Sequence, residues 1–133
     1  GTVKMRNAAK ESEKIISSFE VKTPSTNTLA TALSGGNQQK FVVGRELEDN
    51  PSLLIASQPT RGIDIGAQSL IWEKLRHSRD EGLSVLLISA DLEELIGLSD
   101  RIIVFYQGKL VKELDADNVS PEDLGGYMTG LKK

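Results

Sequence analysis

The stretch Leu53–Ser89, "LLIASQPTRGIDIGAQSLIWEKLRHSRDEGLSVLLIS", decides the fold. It opens on an apolar run, Leu53–Ala56, and passes into loop residues at Pro59, Thr60 and Gly62. Ala67, Leu70, Ile71 and Leu75 then recur at helical spacing, which predicts a helix over about 66–81 with Gly82 as its end. A second apolar run, Leu83–Ser89, follows. Both runs have the length of strands and are continuous rather than alternating. A strand of that kind is buried on both faces, so the pattern predicts parallel strands sandwiched by helices, an α/β fold.

Upstream, Ser34 is a good N-cap for "GGNQQKFVVGRELEDN", and Asn50 and Pro51 stop that helix. Before it, "VKTPSTNTLATALSGGN" is rich in Thr, Ser, Asn and Pro and reads as an ordered loop. Val3–Phe19 is charged and helix-permissive, with Met5, Ala8, Ala9, Ile15, Ile16 and Phe19 as its apolar positions. Downstream, Asp91 is a candidate cap for a short helix whose Leu92, Leu95 and Ile96 face inward. Arg101–Tyr106 and Lys109–Leu114 predict a hairpin around "QG". Ser120 caps a last helix with Pro121 at its first position and Asp123 at its third.

Composition narrows the function. The chain has 133 residues, enough for one core, and carries 16 Lys+Arg against 19 Asp+Glu, a net charge of −3. That balance argues against a nucleic-acid binder, which shows a basic excess. There is no Cys, hence no disulfide framework and no thiolate metal site. No apolar run approaches the length of a membrane span, about 18 residues. Gly1 without an initiator Met reads as an expression scar, so a fragment is expected.

"LSGGNQQK", Leu33–Lys40, is the most informative segment. Two glycines at a helix start let a ligand approach the backbone closely. The first N–H groups of a helix lack intrahelical acceptors and lie at the positive end of its dipole. With the Ser34 hydroxyl this makes an anion site suited to phosphate. The plainer reading of the same residues is an ordinary capped helix. His77, the only histidine, and the charged residues Glu73, Lys74, Arg76 and Arg79 read as solvated helix surface, and Trp72 as partial core.

"LSGGNQQK", then "PSLLIASQPTRGIDIGA", then "VLLISADLEELIGLSDRIIVFYQGKLV" resembles the ABC-transporter ATPases over about Val21–Leu114. The likeness is strongest to the tandem ATP-binding subunits of importers for simple sugars and nucleosides. It implies that residues 1–50 are part of the helical signature subdomain. Residues 51–133 would then be the C-terminal part of an ATPase core. In that family each ATP lies between the phosphate loop of one half and the signature of the other. The resemblance therefore assigns Ser34, Gly35 and Gly36 to the γ-phosphate of ATP held by the other half. It places Gln38 and Gln39 in the signature helix, and makes Asp64 the D-loop aspartate, with Arg61, Gly62 and Ile63 completing its turn. ATP and Mg²⁺ are implied for the intact parent, and none is expected bound to the fragment. The implied partners are an N-terminal ATPase half, a membrane permease and, indirectly, a substrate-binding protein. The implied place is the cytoplasmic face of the membrane, peripheral, with the fragment itself soluble.

Three positions depart from the family pattern. Its Walker B aspartate falls on Ser57, its catalytic glutamate on Gln58 and its switch histidine on Ala90. A hydroxyl offers Mg²⁺ no charge, an amide cannot take a proton from water, and a methyl reaches no phosphate. Asp91 and Glu93 lie on the wrong side of the strand end to substitute. No G-x-x-x-x-G-K-[ST] phosphate loop occurs in the chain. The expectation is a half whose own site is silent, with no catalytic or metal-binding residue here, and whose signature serves its partner. The rival reading is a non-transport ABC protein or an interaction module built on the same fold.

Overall fold

The structure, a computed structural model, describes residues 2–133, with side chains from Lys4 onward. Two compact units divide the chain, residues 1–86 and 87–133.

The first unit begins with α1 (Thr2–Ser18) and continues through a 3₁₀ turn (Ala30–Ala32) to α2 (Gly35–Glu48), β1 (Leu53–Ser57), α3 (Ile65–Asp80) and the start of β2 (Ser84–Ile88). Each boundary has a local cause. Ser34 and Asp64 cap α2 and α3, each in extended backbone with a side-chain oxygen on the N–H three residues on. Asn50, at φ +48, turns the chain out of α2 before Pro51. Gly82, at φ +107, ends α3 with its N–H on the Arg79 carbonyl and the Leu83 N–H on that of Ser78. That reciprocal pair is the Schellman arrangement, which favours glycine because of its positive φ.

Strands β1 and β2 are neighbours in one sheet. The Ser84 N–H donates to the Ser52 carbonyl, so the two strands leave side by side from one end, as parallel strands do. Ile15, Phe19, Val21 and Val43 are buried, as are Ala67, Ile71 and Leu75 at successive turns of α3. Residues 4–8 of α1, Met5 among them, are exposed.

The expectation of burial on both sheet faces is corrected here. Leu53, Ile55 and Leu86 are 55%, 60% and 52% exposed, while Ala56 is buried. Among the described residues only one face of β1 is covered, so its apolar run splits into an inward and an outward set.

The second unit comprises α4 (Leu92–Leu98), β3 (Arg101–Tyr106), β4 (Lys109–Asp115), a 3₁₀ turn (Ala116–Asn118) and α5 (Pro121–Met128). Strands β3 and β4 form an antiparallel hairpin, in register from Arg101↔Asp115 to Tyr106↔Lys109 with one irregularity at Val104/Phe105. Its turn is Gln107–Gly108, at φ +49 and +76, the paired positive values of a type I′ turn. Leu95, Ile102, Val104, Ala116, Leu124 and Tyr127 form the core, with Leu92 and Ile96 packed against it. Asp91 caps α4 and Ser120 caps α5, as the sequence predicts. No helix among the described residues is long and apolar enough to cross a membrane.

Candidate functional site

The start of α2 is held by its own side chains. Ser34 Oγ accepts from the Asn37 N–H at 3.2 Å. Asn37 Oδ1 accepts from the Lys22 N–H at 2.9 Å and ties down the segment after α1. Gln38 turns back and donates through Nε2 to the carbonyls of Ala30 and Leu33, at 2.9 and 3.0 Å. Lys40 Nζ reaches the Glu20 carbonyl at 3.4 Å. The Ser34–Gly35–Gly36 turn is therefore anchored behind, while Ser34 and Gly35 stay exposed in front.

Beside this turn lies a solvent-open hollow of about 420 Å³. Ser34, Gly36, Asn37 and Lys40 of α2 line it, with Glu20 and Lys22 from the preceding segment and Asp64, Gly66, Ala67 and Leu70 from the start of α3. Asp64 Oδ1 accepts from the Ala67 N–H at 2.9 Å. That hydrogen bond holds the Asp64 carboxyl below the usual carboxylate range, and the Lys40 cation acts in the same direction. Residues from the starts of α2 and α3 thus line one hollow, with two lysines and two carboxylates around it. Its lining holds no imidazole or thiol for proton transfer or attack.

The structure brings Ser34, Gly36 and Asp64 together on this hollow; Gly35 is exposed and is not among its lining residues. Gln38 does not line it; its amide is spent on the two carbonyls behind the turn. Ser57 ends β1 and is exposed, and Gln58 follows in left-handed backbone at φ +48. Neither lines the hollow. Ala90 lies in the second unit, exposed, just before the cap of α4. His77 is exposed on α3, 3.8 Å from Glu81, and Trp72 is half-buried under the Arg76 guanidinium at 6.0 Å.

The sequence reading missed the part of Asp64 as cap, because it started α3 one residue late, at Gly66 rather than Ile65, and it missed Lys22, Asn37 and Lys40 as neighbours of the turn. Asp64 was findable as an Asp before a helical apolar repeat. Lys40 was findable as well, one turn after Gly36 on the same helix, whereas Lys22 was not, since a return of residues 20–22 onto α2 has no local signal.

A phosphate fits the donors present: a capped helix start, an exposed glycine and two lysines. A metal ion does not fit Ser57–Gln58, whose oxygens carry no charge. Among the described residues no cluster of His, Cys, Asp and Glu could hold one.

No protein-family model matches the chain. Curated relatives do. A guanosine import ATP-binding protein, NupO of Bacillus subtilis, is 46% identical over 121 residues, which is 91% of this chain and 24% of the relative. A glucose import ATP-binding protein, TsgD13 of Haloferax volcanii, is 46% identical over 120 residues, 89% of this chain and 22% of the relative. The chain thus spans about a quarter of the length of these relatives. Among solved structures, the dimeric ATP-binding cassette MJ0796 bound to ADP and Pi superimposes with a TM-score of 0.70 at 25% identity, covering 80% of this chain and 46% of that one. Sequence and fold together place this chain in the ABC-transporter ATPase family.

Proposed function

We propose that this chain is the signature-bearing part of an ATP-binding subunit that drives import of nucleosides or simple sugars. Residues 1–50 would belong to its helical subdomain and residues 51–133 to the later part of its ATPase core. In this reading the Ser34–Gly35–Gly36 turn meets the γ-phosphate of ATP held by another half, and Asp64 stands at the junction between the halves. ATP and Mg²⁺ supply the phosphoryl chemistry of the whole transporter, while the residues here orient phosphate and hold no metal. Its partners are that other ATPase half and a membrane permease, reached from the cytoplasmic face.

The observation that carries this reading is the contrast between two loops. The α2 start is capped, glycine-rich and open, everything a phosphate contact needs. The loop after β1 has Ser57 and Gln58, neutral where a hydrolytic site needs acids. A half built this way aids hydrolysis at its partner's ATP and performs none at its own.

Turnover by the assembled transporter tests it. Ser34→Arg places a long side chain where phosphate and backbone must meet, and lost transition-state contacts of this kind cost roughly a hundredfold in rate. Gln58→Ala removes no proton acceptor and leaves most of the activity. Equal damage from both variants would refute the asymmetry. Unchanged turnover in both would leave the chain as an interaction module on an ABC fold.

A further inference from the structure

The two glycines of the α2 turn meet different surroundings. A Cβ added at Gly35 would have nothing within 4 Å. A Cβ added at Gly36 would stand 3.0 Å from Asp64 Oδ2 and 3.0 Å from the Ala67 Cβ. Gly36 is buried and Gly35 exposed. The absence of a side chain at 36 is therefore demanded by this chain's own next helix, whereas at 35 the chain leaves the space open.

Asp64 has little room to yield. Its Oδ1 is fixed on the Ala67 N–H at 2.9 Å, so Oδ2 is aimed at Gly36 by the geometry of a planar carboxylate. Ala67 is buried at 3% exposure on the first turn of α3 and cannot retreat without moving that helix. The cap of α3 and the first turn of α2 are seated on each other.

We infer that Gly36 and Asp64 form one positioning pair: the α3 cap sets where the α2 turn stands, and Gly35 alone of the two glycines is kept free for a ligand. Asp64 thus acts on the turn within its own chain, besides any contact it makes across halves. The functional side of this inference rests on the reading of the turn as a phosphate contact; the packing side does not.

Two double-mutant cycles in the full-length chain test it, with Gly36→Ala and Asp64→Ser. Serine keeps a capping oxygen for Ala67 but removes the second oxygen that faces Gly36. In thermal unfolding, Gly36→Ala should lower the midpoint by about 2 °C or more, and by measurably less with Asp64→Ser, which relieves the contact with Oδ2 and leaves the one with Ala67. Gly35→Ala should not lower it, since it gains helix propensity and meets no neighbour. If Gly36→Ala does not fold, recovery of folding by Asp64→Ser reads the same coupling. In Mg-ATP turnover by the assembled transporter, Gly36→Ala should cost roughly tenfold through misplacement of the turn. Beside Asp64→Ser the further loss should be about threefold or less. Gly35→Ala should lose turnover equally in both backgrounds. Additive unfolding, or a double variant that folds no better than Gly36→Ala, overturns the pair. Coupled unfolding with turnover indifferent to both glycines would uphold the pair and refute the phosphate reading instead.

Discussion

Asp64 carries its charge at the tip of α3, where the Ala67 N–H lowers its pKa. A carboxyl lowered in the folded state contributes stability above its unfolded value, about 4, and loses it as pH falls through the folded value. Asp64→Asn keeps a capping oxygen and removes the charge. The two proteins should therefore differ in unfolding midpoint at pH 7, with the wild type higher, and converge as pH falls below about 4. A gap that stays constant from pH 7 to pH 3 would show that the charge plays no part. Gln58 poses the opposite case. Its φ of +48 is a conformation that any side chain resists, and the residue is neither Gly nor Asn. Gln58→Gly should be more stable than Gln58→Ala by about 1 kcal/mol, because only glycine adopts that backbone freely. Equal stability by urea denaturation would mean that residue 58 relaxes. The capping serine of α2 was legible in the sequence because a cap is a local event. The strain at Gln58 was not, since a glutamine before a proline gives no sign of a positive φ.

Helix packing places a similar demand on Gly44 of α2. A Cβ there would come within 2.5 Å of Ile15 Cγ2 and 2.9 Å of Phe19 Cδ2, both buried on or just after α1. Glycine in mid-helix costs up to about 1 kcal/mol in propensity, so its presence here is explained by the close approach of α1. Gly44→Ala should destabilise by about 1–3 kcal/mol through overpacking, despite that propensity gain. Chemical denaturation followed by far-ultraviolet circular dichroism reads this; a stabilised variant would mean that α1 does not pack there. The sequence predicted both helices from their own residues. It could not predict their contact, which joins residues far apart in the chain. The hairpin shows the converse. Its turn and two strands were legible from Gln107–Gly108 and the flanking runs, all within one short segment, whereas the irregularity at Val104/Phe105 was not. Gln107→Asn, a residue that tolerates left-handed backbone, should raise the unfolding midpoint slightly, by about 0.5 kcal/mol or less in stability. A lowered midpoint would mean that the Gln107 side chain contributes something the turn geometry does not require.

At the scale of the whole molecule, the apolar runs say how much surface seeks burial but not what will cover it. "LLIA" and "VLLI" predicted strands correctly and burial on both faces incorrectly. Leu53, Ile55 and Leu86 stand in the open in the first unit, and so do Ile103, Phe105 and Leu110 on the outer side of the hairpin in the second. Scattered exposed leucines need no explanation, but apolar residues at alternating strand positions form a continuous stripe. With a net charge of only −3, the 133-residue chain has little electrostatic repulsion to keep copies apart. By itself it should therefore bind a hydrophobic dye such as ANS and self-associate as its concentration rises, with association stronger in added salt. Ile55→Thr together with Leu86→Thr should reduce both effects while changing the unfolding midpoint little, because each side chain is already about half in water and threonine suits a strand. In a transporter where further strands and helices cover that face, the same pair would bury unpaired hydroxyls, each costing on the order of 1–3 kcal/mol, and the assembled protein should lose stability instead. Light scattering and dye binding on the chain, set beside thermal unfolding of the assembled transporter, read both halves of this argument. A chain that stays monomeric without binding dye would show that the stripe is already covered. An assembled transporter that tolerates both threonines would show that the stripe remains at a wet surface there as well.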